Sequence, residues 1–312
     1  MKVFCHIPRE NWFGDRYGAE YKKHSRHTVS HTDLNCDVVW LLASWCWKQI
    51  PVQILKTKKI ICTIHHIVPD KFNAAAKHDF YMRDQFIDAY HVPCEQTRTF
   101  ISKHTKKPIH KLCYWVDPTL WPIGDKAATK AAYVLPQDKL IIGSFQRDTE
   151  GHDLKTPKLE KGPDKFCDYV EKIKDSGIEP FVLLNGWRRQ YVINRLINAN
   201  IDFTYKELPP LSEVSKMYSA CDLYVVGSRF EGGPQSILEC GVSKIPIVST
   251  NVGIASTILP SNCIFDVGSS CDIYFPTNKD VEQTYVNSLK YNVTKHVCKY
   301  DDLFENIFGE LV

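Results

Sequence analysis

None of the 12 cysteines in the 312 residues stands in a C-x-x-C pair, and no run approaches the ~20 consecutive apolar residues of a membrane span. The first absence argues against metal and disulfide readings, the second against a transmembrane segment. Net charge is also scarce. Lys and Arg number 39 against 36 Asp and Glu, leaving +3, too even a balance for a protein that mainly grips nucleic acid or an anionic membrane. A local basic cleft and a peripheral membrane contact stay open. The start, MKVFCHIPRENW, turns polar too soon for a signal peptide. Cys5, Cys62 and Cys113 fall in or beside strand-like runs and Cys221 follows a small-residue helix end, which suits buried free thiols in a soluble, cytoplasmic protein. The sequon Asn292-Val293-Thr294 is then chance.

Several chemical signatures are missing too. There is no G-x-G-x-x-G and no G-x-x-x-x-G-K-[ST], which counts against nicotinamide dehydrogenases and P-loop enzymes. G-x-S-x-G and H-E-x-x-H are absent. So is D-x-D, the usual means of holding a divalent metal on a nucleotide diphosphate. An anion bound here must be neutralised by protein groups, and the expectation is no metal and no cofactor.

What is present is globular: 44% apolar, 24% charged and 12% aromatic residues exclude a disordered, collagenous or coiled-coil chain. A chain of this length more often forms two compact halves than one core. Short β-branched and aromatic runs alternate with helical spacing, which predicts α/β layers with mostly parallel sheets. The first half offers Met1–Ile7, Asp37–Leu42, Lys59–His65, Ala89–Pro93 and Ile109–Val116. The second offers Leu140–Phe145, Pro180–Asn185, Asp222–Gly227 and Ile245–Thr250. Between them Asp117–Gln137, with Pro118, Pro122, Gly124 and Pro136, reads as a linker. The predicted domains are 1–135, 136–295 and a C-terminal helix 296–312, which could pack back on the first domain. In that helix Leu303, Phe304, Ile307, Phe308 and Leu311 form an apolar stripe.

Two strand-to-helix transitions carry the chemistry. Leu140–Phe145 runs into Gln146-Arg147, and the loop closes at Lys161-Gly162-Pro163-Asp164, where Pro163 suits the first turn of a helix. Arg147 and Lys161 could clamp a phosphate beside the positive helix end, or simply be solvated charges. Asp222–Gly227 runs into SRFEGGP and a helix from about Gln235. The glycines and Pro234 at that helix start offer an anion site made of backbone N–H groups. Glu231 and Glu239, eight residues apart, could accept hydrogen bonds from hydroxyls on either side of a diphosphate; equally, Glu231 could favour the helix dipole and Glu239 face water.

The stretch Tyr218–Ile258, with SRFEGGPQSILE and IPIVSTNVG, resembles the donor site of family 4 glycosyltransferases with the GT-B fold. That fold implies two Rossmann-like domains whose parallel sheets face a cleft. The resemblance further implies retaining, metal-independent transfer of a sugar from a UDP- or GDP-linked donor to a carbohydrate or glycoconjugate acceptor. Under it Glu231 touches the donor sugar, Glu239 the ribose, and Arg147 and Lys161 the diphosphate, with amides near Gly232, Gly233 and Pro234 as a cradle. His65 matches the first-domain histidine that reaches the sugar, with His66 as its competitor. Thirteen residues separate Arg147 from Lys161, more than the family usually shows, so Lys155 or Lys158 could take the lysine's part. Gly14 and Gly18 are expected in a glycine loop, which either faces the ligands or is a plain turn, and Trp12, Phe13 and Tyr17 in that loop could stack on an acceptor sugar. Trp40, Trp45 and Trp47 are expected in the core, while Arg188 and Arg189 either supplement the phosphate site or, the commoner outcome for such a pair, lie on a solvated helix face. An epimerase or hydrolase, or a non-catalytic nucleotide-sugar-binding subunit, would use the same clamp.

Overall fold

The structure, a computed structural model, describes residues 1–7, 13–267 and 272–309. The chain divides into two units, Met1–Trp115 with Tyr291–Val312, and Val116–Lys290.

In the first unit the order is β1 (Lys2–His6), α1 (Phe13–His24), β2 (Thr28–Val29), β3 (Val38–Leu41), α2 (Val52–Thr57), β4 (Lys59–Thr63), α3 (Ala74–Asp84), β5 (Ala89–Val92), α4 (Glu95–Ile101) and β6 (Ile109–Lys111). The six strands pair in parallel as β2-β1-β3-β4-β5-β6. Every residue of β3 and β5 is buried, which a parallel strand covered on both faces requires. Leaving β1, the chain crosses to β2 on one side and then to β3 on the other, so the sheet's switch point lies between β1 and β3.

The helix after Asn292, α12 (Val293–Gly309), completes this unit. The Asn292 side chain accepts from the Thr294 N–H and hydroxyl at 3.0 and 2.9 Å, so the sequon residues cap the helix. Leu303, Phe304 and Ile307 are buried as the stripe predicts, but Phe308 is exposed, and Leu311 lies outside the described residues. The packing face extends further back, to Val297 and Tyr300. Asp301, fully buried, accepts from the Tyr21 hydroxyl at 2.9 Å, the Ser25 hydroxyl at 2.6 Å and the Arg26 N–H at 3.0 Å, fastening α12 to the end of α1. Asp301→Ala leaves these donors unanswered and lowers the urea-unfolding stability by about 2 kcal/mol.

Two buried histidines join the same helix to the sheet. His91 in β5 contacts the Thr63 hydroxyl and the Leu112 carbonyl at 3.0 and 2.8 Å, and His296 in α12 contacts the Cys113 carbonyl at 2.7 Å. Burial pushes both rings down to about 4. The unfolded chain, with histidines near 6.5, takes up protons that the folded chain refuses between those values. Stability is therefore full above about pH 6.5 and falls as the pH drops towards 4, by on the order of 2 kcal/mol per ring. Urea midpoints across that range check this; in His296→Gln the fall is shallower.

The second unit runs α5 (Lys126–Ala132), β7 (Leu140–Phe145), α6 (Pro163–Asp175), β8 (Pro180–Asn185), α7 (Gln190–Asn198), β9 (Asp202–Lys206), α8 (Leu211–Ser219), β10 (Leu223–Val226), α9 (Gln235–Val242), β11 (Ile247–Thr250), α10 (Ala255–Ile258), β12 (Ile264–Phe265) and α11 (Asn278–Leu289). Its sheet is again all parallel, in the order β12-β11-β10-β7-β8-β9, with a switch point between β7 and β10. The stretch read as a linker is built into this unit. Asp125 caps α5, and the ammonium groups of Lys126 and Lys130 reach Asp222 at 2.9 and 2.8 Å. Asp222 also accepts the Ile141 N–H at 2.9 Å, which ties α5 to the entry of β7. The division thus falls at 115/116 rather than near 135, because a capped and ion-paired helix outweighs the Pro and Gly content around it.

Candidate functional site

Ligands of open parallel sheets bind beyond the carboxyl ends of the strands at the switch point. In the second unit that edge holds the ends of β7 and β10, each leading into the N-terminus of a helix, α6 and α9. The two corners are locked together. Gly162 has φ +59°, and a Cβ there would lie 1.7 Å from the Gly227 carbonyl oxygen; a Cβ on Gly227 would lie 2.6 Å from the Gly162 oxygen. Backbone therefore passes backbone with no room for a side chain. The Arg229 and Phe230 N–H groups donate to the Glu160 carbonyl at 2.9 and 3.1 Å. Arg229 pairs both oxygens of Asp164, at 2.7 and 2.5 Å. Burial pushes the Asp164 carboxyl up, but the guanidinium more than offsets this and holds it below its ordinary value. The Thr250 hydroxyl, at the end of β11, donates to the Ser228 carbonyl.

This lock brings Lys161 and Glu231 into direct contact: the ammonium is ion-paired with Oε1 of the carboxylate, both partly shielded from water at 22% and 12% exposure. The Lys161 backbone is fixed as well, its carbonyl accepting from Gln146 Nε2 at 2.8 Å and the Ser228 hydroxyl at 3.3 Å. Of the competing lysines, Lys155 is exposed, and Lys158 turns to Glu160 at 3.6 Å. Gly232 is buried and Gly233 half-buried directly before α9, while Pro234 stands at the cap and not within the first turn. Glu239, expected either at a ligand or in water, is buried at 6% exposure and accepts from the Tyr218 hydroxyl at 2.9 Å.

Arg147 is turned elsewhere. Its guanidinium lies 4.9 Å from the centre of the Trp187 ring, and its Nε donates to the Thr149 carbonyl at 2.9 Å. Arg188 lies over the same ring at 4.4 Å. The solvated face expected for the arginine pair does not hold for Arg189, which is fully buried. Arg189 pairs with buried Asp148 at 2.6 Å, donates to the Asn185 carbonyl at 2.6 Å, and also bonds the Ser144 carbonyl. A guanidinium can enter the interior there because a carboxylate and carbonyls answer its donors.

In the first unit, His65 lies two residues past the end of β4, and its Nδ1 is hydrogen-bonded to the Tyr114 hydroxyl. Phe13 lies edge-on to the His65 ring at 5.6 Å and Trp45 tilted at 6.1 Å. His66, next in the chain, is half-buried. Gly14 and Gly18 do not form a loop; both lie in α1 and are buried. Gly18 is a packing glycine, since a Cβ there would sit 2.1 Å from Ile7 Cδ1. Tyr17, also in α1, is buried and stacked on Trp115 at 3.6 Å, which removes it as a ligand-stacking ring. Trp12 lies outside the described residues. Trp40 and Trp47 are core residues as expected, but Trp45 is 49% exposed.

Among the described residues, no helix is long and apolar enough to cross a membrane. The described cysteines are free, mostly buried, with Cys298 exposed. Reasoning from the sequence missed Gln146, Tyr218 and the Asp148–Arg189 pair, each of which acts through a partner distant in the chain and leaves no local spacing to find.

Among solved structures, HepE of Anabaena, in complex with UDP and glucose, superimposes with a TM-score of 0.77 at 11% identity, over 98% of this chain and 99% of that one. Sucrose-phosphate synthase from Thermosynechococcus elongatus gives 0.68 at 13% identity, over 98% and 81%. The fold is the GT-B fold of glycosyltransferases. Residues 155–263, which include Lys161, Glu231 and Glu239, match the family model described as glycosyl transferases group 1, so the chain carries a group 1 glycosyl transferase segment. The O-antigen biosynthesis glycosyltransferase WclY of Escherichia coli is 24% identical over 198 residues, 60% of this chain and 52% of that protein. The chain spans about half the length of the curated relatives it matches.

Proposed function

We propose that the chain is a retaining, metal-independent glycosyltransferase of family 4. It moves a sugar from a UDP- or GDP-linked donor to a hydroxyl of a carbohydrate or glycoconjugate acceptor in the cytoplasm. One observation carries the reading: Lys161 and Glu231 meet where α6 and α9 both begin. A cation for phosphate and an anion for sugar hydroxyls at one point is what the junction between a diphosphate and its sugar demands. The UDP complexes of HepE support a uridine nucleotide, and the O-antigen role of WclY supports a glycoconjugate product.

As the bond between anomeric carbon and phosphate stretches, negative charge gathers on the departing diphosphate. Lys161 and the N–H groups before α9 are fixed donors for that charge, and Arg147 joins them by leaving Trp187. Because these contacts strengthen as the charge develops, they lower the barrier instead of merely tightening the complex. Glu231 holds the sugar by its hydroxyls, and its negative charge suits a ring that becomes cationic. The departing phosphate takes the acceptor proton, so no side chain is assigned as general base. His65, its ring set by Tyr114, is the first unit's contact to the transferred sugar.

The test is release of nucleoside diphosphate from a panel of UDP- and GDP-sugars in EDTA, with and without oligosaccharide and lipid-linked acceptors. Release that depends on acceptor is expected. Full-rate release without acceptor would assign a hydrolase, an altered donor would assign an epimerase, and binding with no turnover a non-catalytic subunit.

A further inference from the structure

Few acidic groups of the second unit are as withdrawn from water as Glu239. It lies on α9, eight residues after Glu231, and a buried carboxylate is stable only when donors hold it. The Tyr218 hydroxyl, from the last turns of α8, reaches Glu239 Oε2 at 2.9 Å. Burial first, and the charge of Glu239 second, push this phenol well above its ordinary value, so it stays protonated and donates.

The Tyr218 ring is itself held from three sides. Phe145, which ends β7, lies edge-on at 4.8 Å; Tyr224 in β10 lies at 5.2 Å, and Trp121 edge-on at 5.5 Å. The Tyr224 hydroxyl accepts the Phe145 N–H at 2.8 Å, which ties this brace to the strand leading into Arg147. Trp121 is secured in turn, its carbonyl accepting from the Ser243 hydroxyl at 3.1 Å just past α9. A phenol with 2% exposure and a ring gripped on several sides has one orientation to offer.

We propose that Tyr218 is a positioning residue for the ribose of the nucleotide donor: its hydroxyl fixes the Glu239 carboxylate so that the carboxylate meets the ribose hydroxyls without first being ordered. The proposal rests on the reading of Glu239 as the ribose acceptor. A carboxylate has about four lone-pair sites, enough to accept from the phenol and from a diol together. Without the phenol, orienting the carboxylate becomes part of the cost of binding.

The test uses the full chain, calorimetric titration, and UDP beside its 2′,3′-dideoxy analogue, with GDP and its analogue in their place if UDP does not bind. Wild type prefers the ribonucleotide. Glu239→Ala removes the preference, and Tyr218→Phe, which keeps the ring and its packing, reduces it about 5- to 10-fold. In the Tyr218→Phe/Glu239→Ala double variant the preference falls no further than in Glu239→Ala alone. A Tyr218→Phe protein that keeps the wild-type preference, or that loses affinity for both probes equally, overturns the positioning role while Glu239 keeps its own. A Glu239→Ala protein that still prefers the ribonucleotide overturns the ribose reading beneath it. A wild type that binds neither UDP nor GDP overturns both.

Discussion

Glu231→Ala lowers the rate of sugar transfer by about 10²- to 10³-fold, the size seen when one preorganised contact to a transition state is removed. The loss appears in kcat and not in nucleotide affinity. Glu231 is the ionic partner of Lys161, so in the unliganded protein it competes with phosphate for the ammonium. Removing it leaves Lys161 to the diphosphate alone, and UDP binds as tightly as to wild type or more tightly, while the sugar loses its acceptor and turnover collapses. Lys161→Ala gives the opposite pattern, with UDP affinity and transfer falling together, because the lost contact is made to substrate and departing group alike. Steady-state transfer and UDP titration on the two variants separate the roles. Near-normal turnover in a folded Glu231→Ala protein removes the residue from the site.

Asp148→Ala costs about 3–5 kcal/mol, the range found when one partner of a buried ion pair is deleted and the other remains. Arg189 is fully buried, and deletion of Asp148 strands its guanidinium with only neutral acceptors at Ser144 and Asn185. Those carbonyls end β7 and β8, the strands from which Arg147 and Trp187 continue. Equilibrium unfolding in urea measures the loss. The double variant Asp148→Leu/Arg189→Met recovers part of it, since no charge is then left in the interior, though the two carbonyls lose their donor. A single variant within 1 kcal/mol of wild type would mean that water reaches the pair.

The parts of this architecture visible in the sequence are those decided by local physics. A strand buried on both faces must be apolar along its length, so Val38–Leu41, Leu140–Phe145 and Leu223–Val226 declare themselves. β2 and β12 are two residues long, and β9, an edge strand, alternates polar with aromatic side chains as Asp202–Lys206, so none of them shows as an apolar run. Lys161 and Glu231 stand out as candidates in the sequence because each charge lies beside glycine and proline at a helix start, a combination that suits an anion site. Nothing in Arg188-Arg189 says which of the two turns inward. The choice is made by Asp148, 41 residues earlier. Gly18 reads as loop glycine for a similar reason. Its lack of a side chain serves close packing of a helix on Ile7, a contact the local sequence does not announce. In Asp117–Gln137 the composition reports the turns and not the ion pairs to Asp222 that hold α5 in place.

On the proposed reading a nucleoside diphosphate sits where β7 and β10 end. A crystal structure of the chain with UDP tests it most directly. Phosphate oxygens are expected within hydrogen-bonding reach of Lys161 Nζ and of the N–H groups leading into α9, with the Lys161–Glu231 contact opened or shared. A diphosphate bound elsewhere on the chain, with that contact undisturbed, would contradict it.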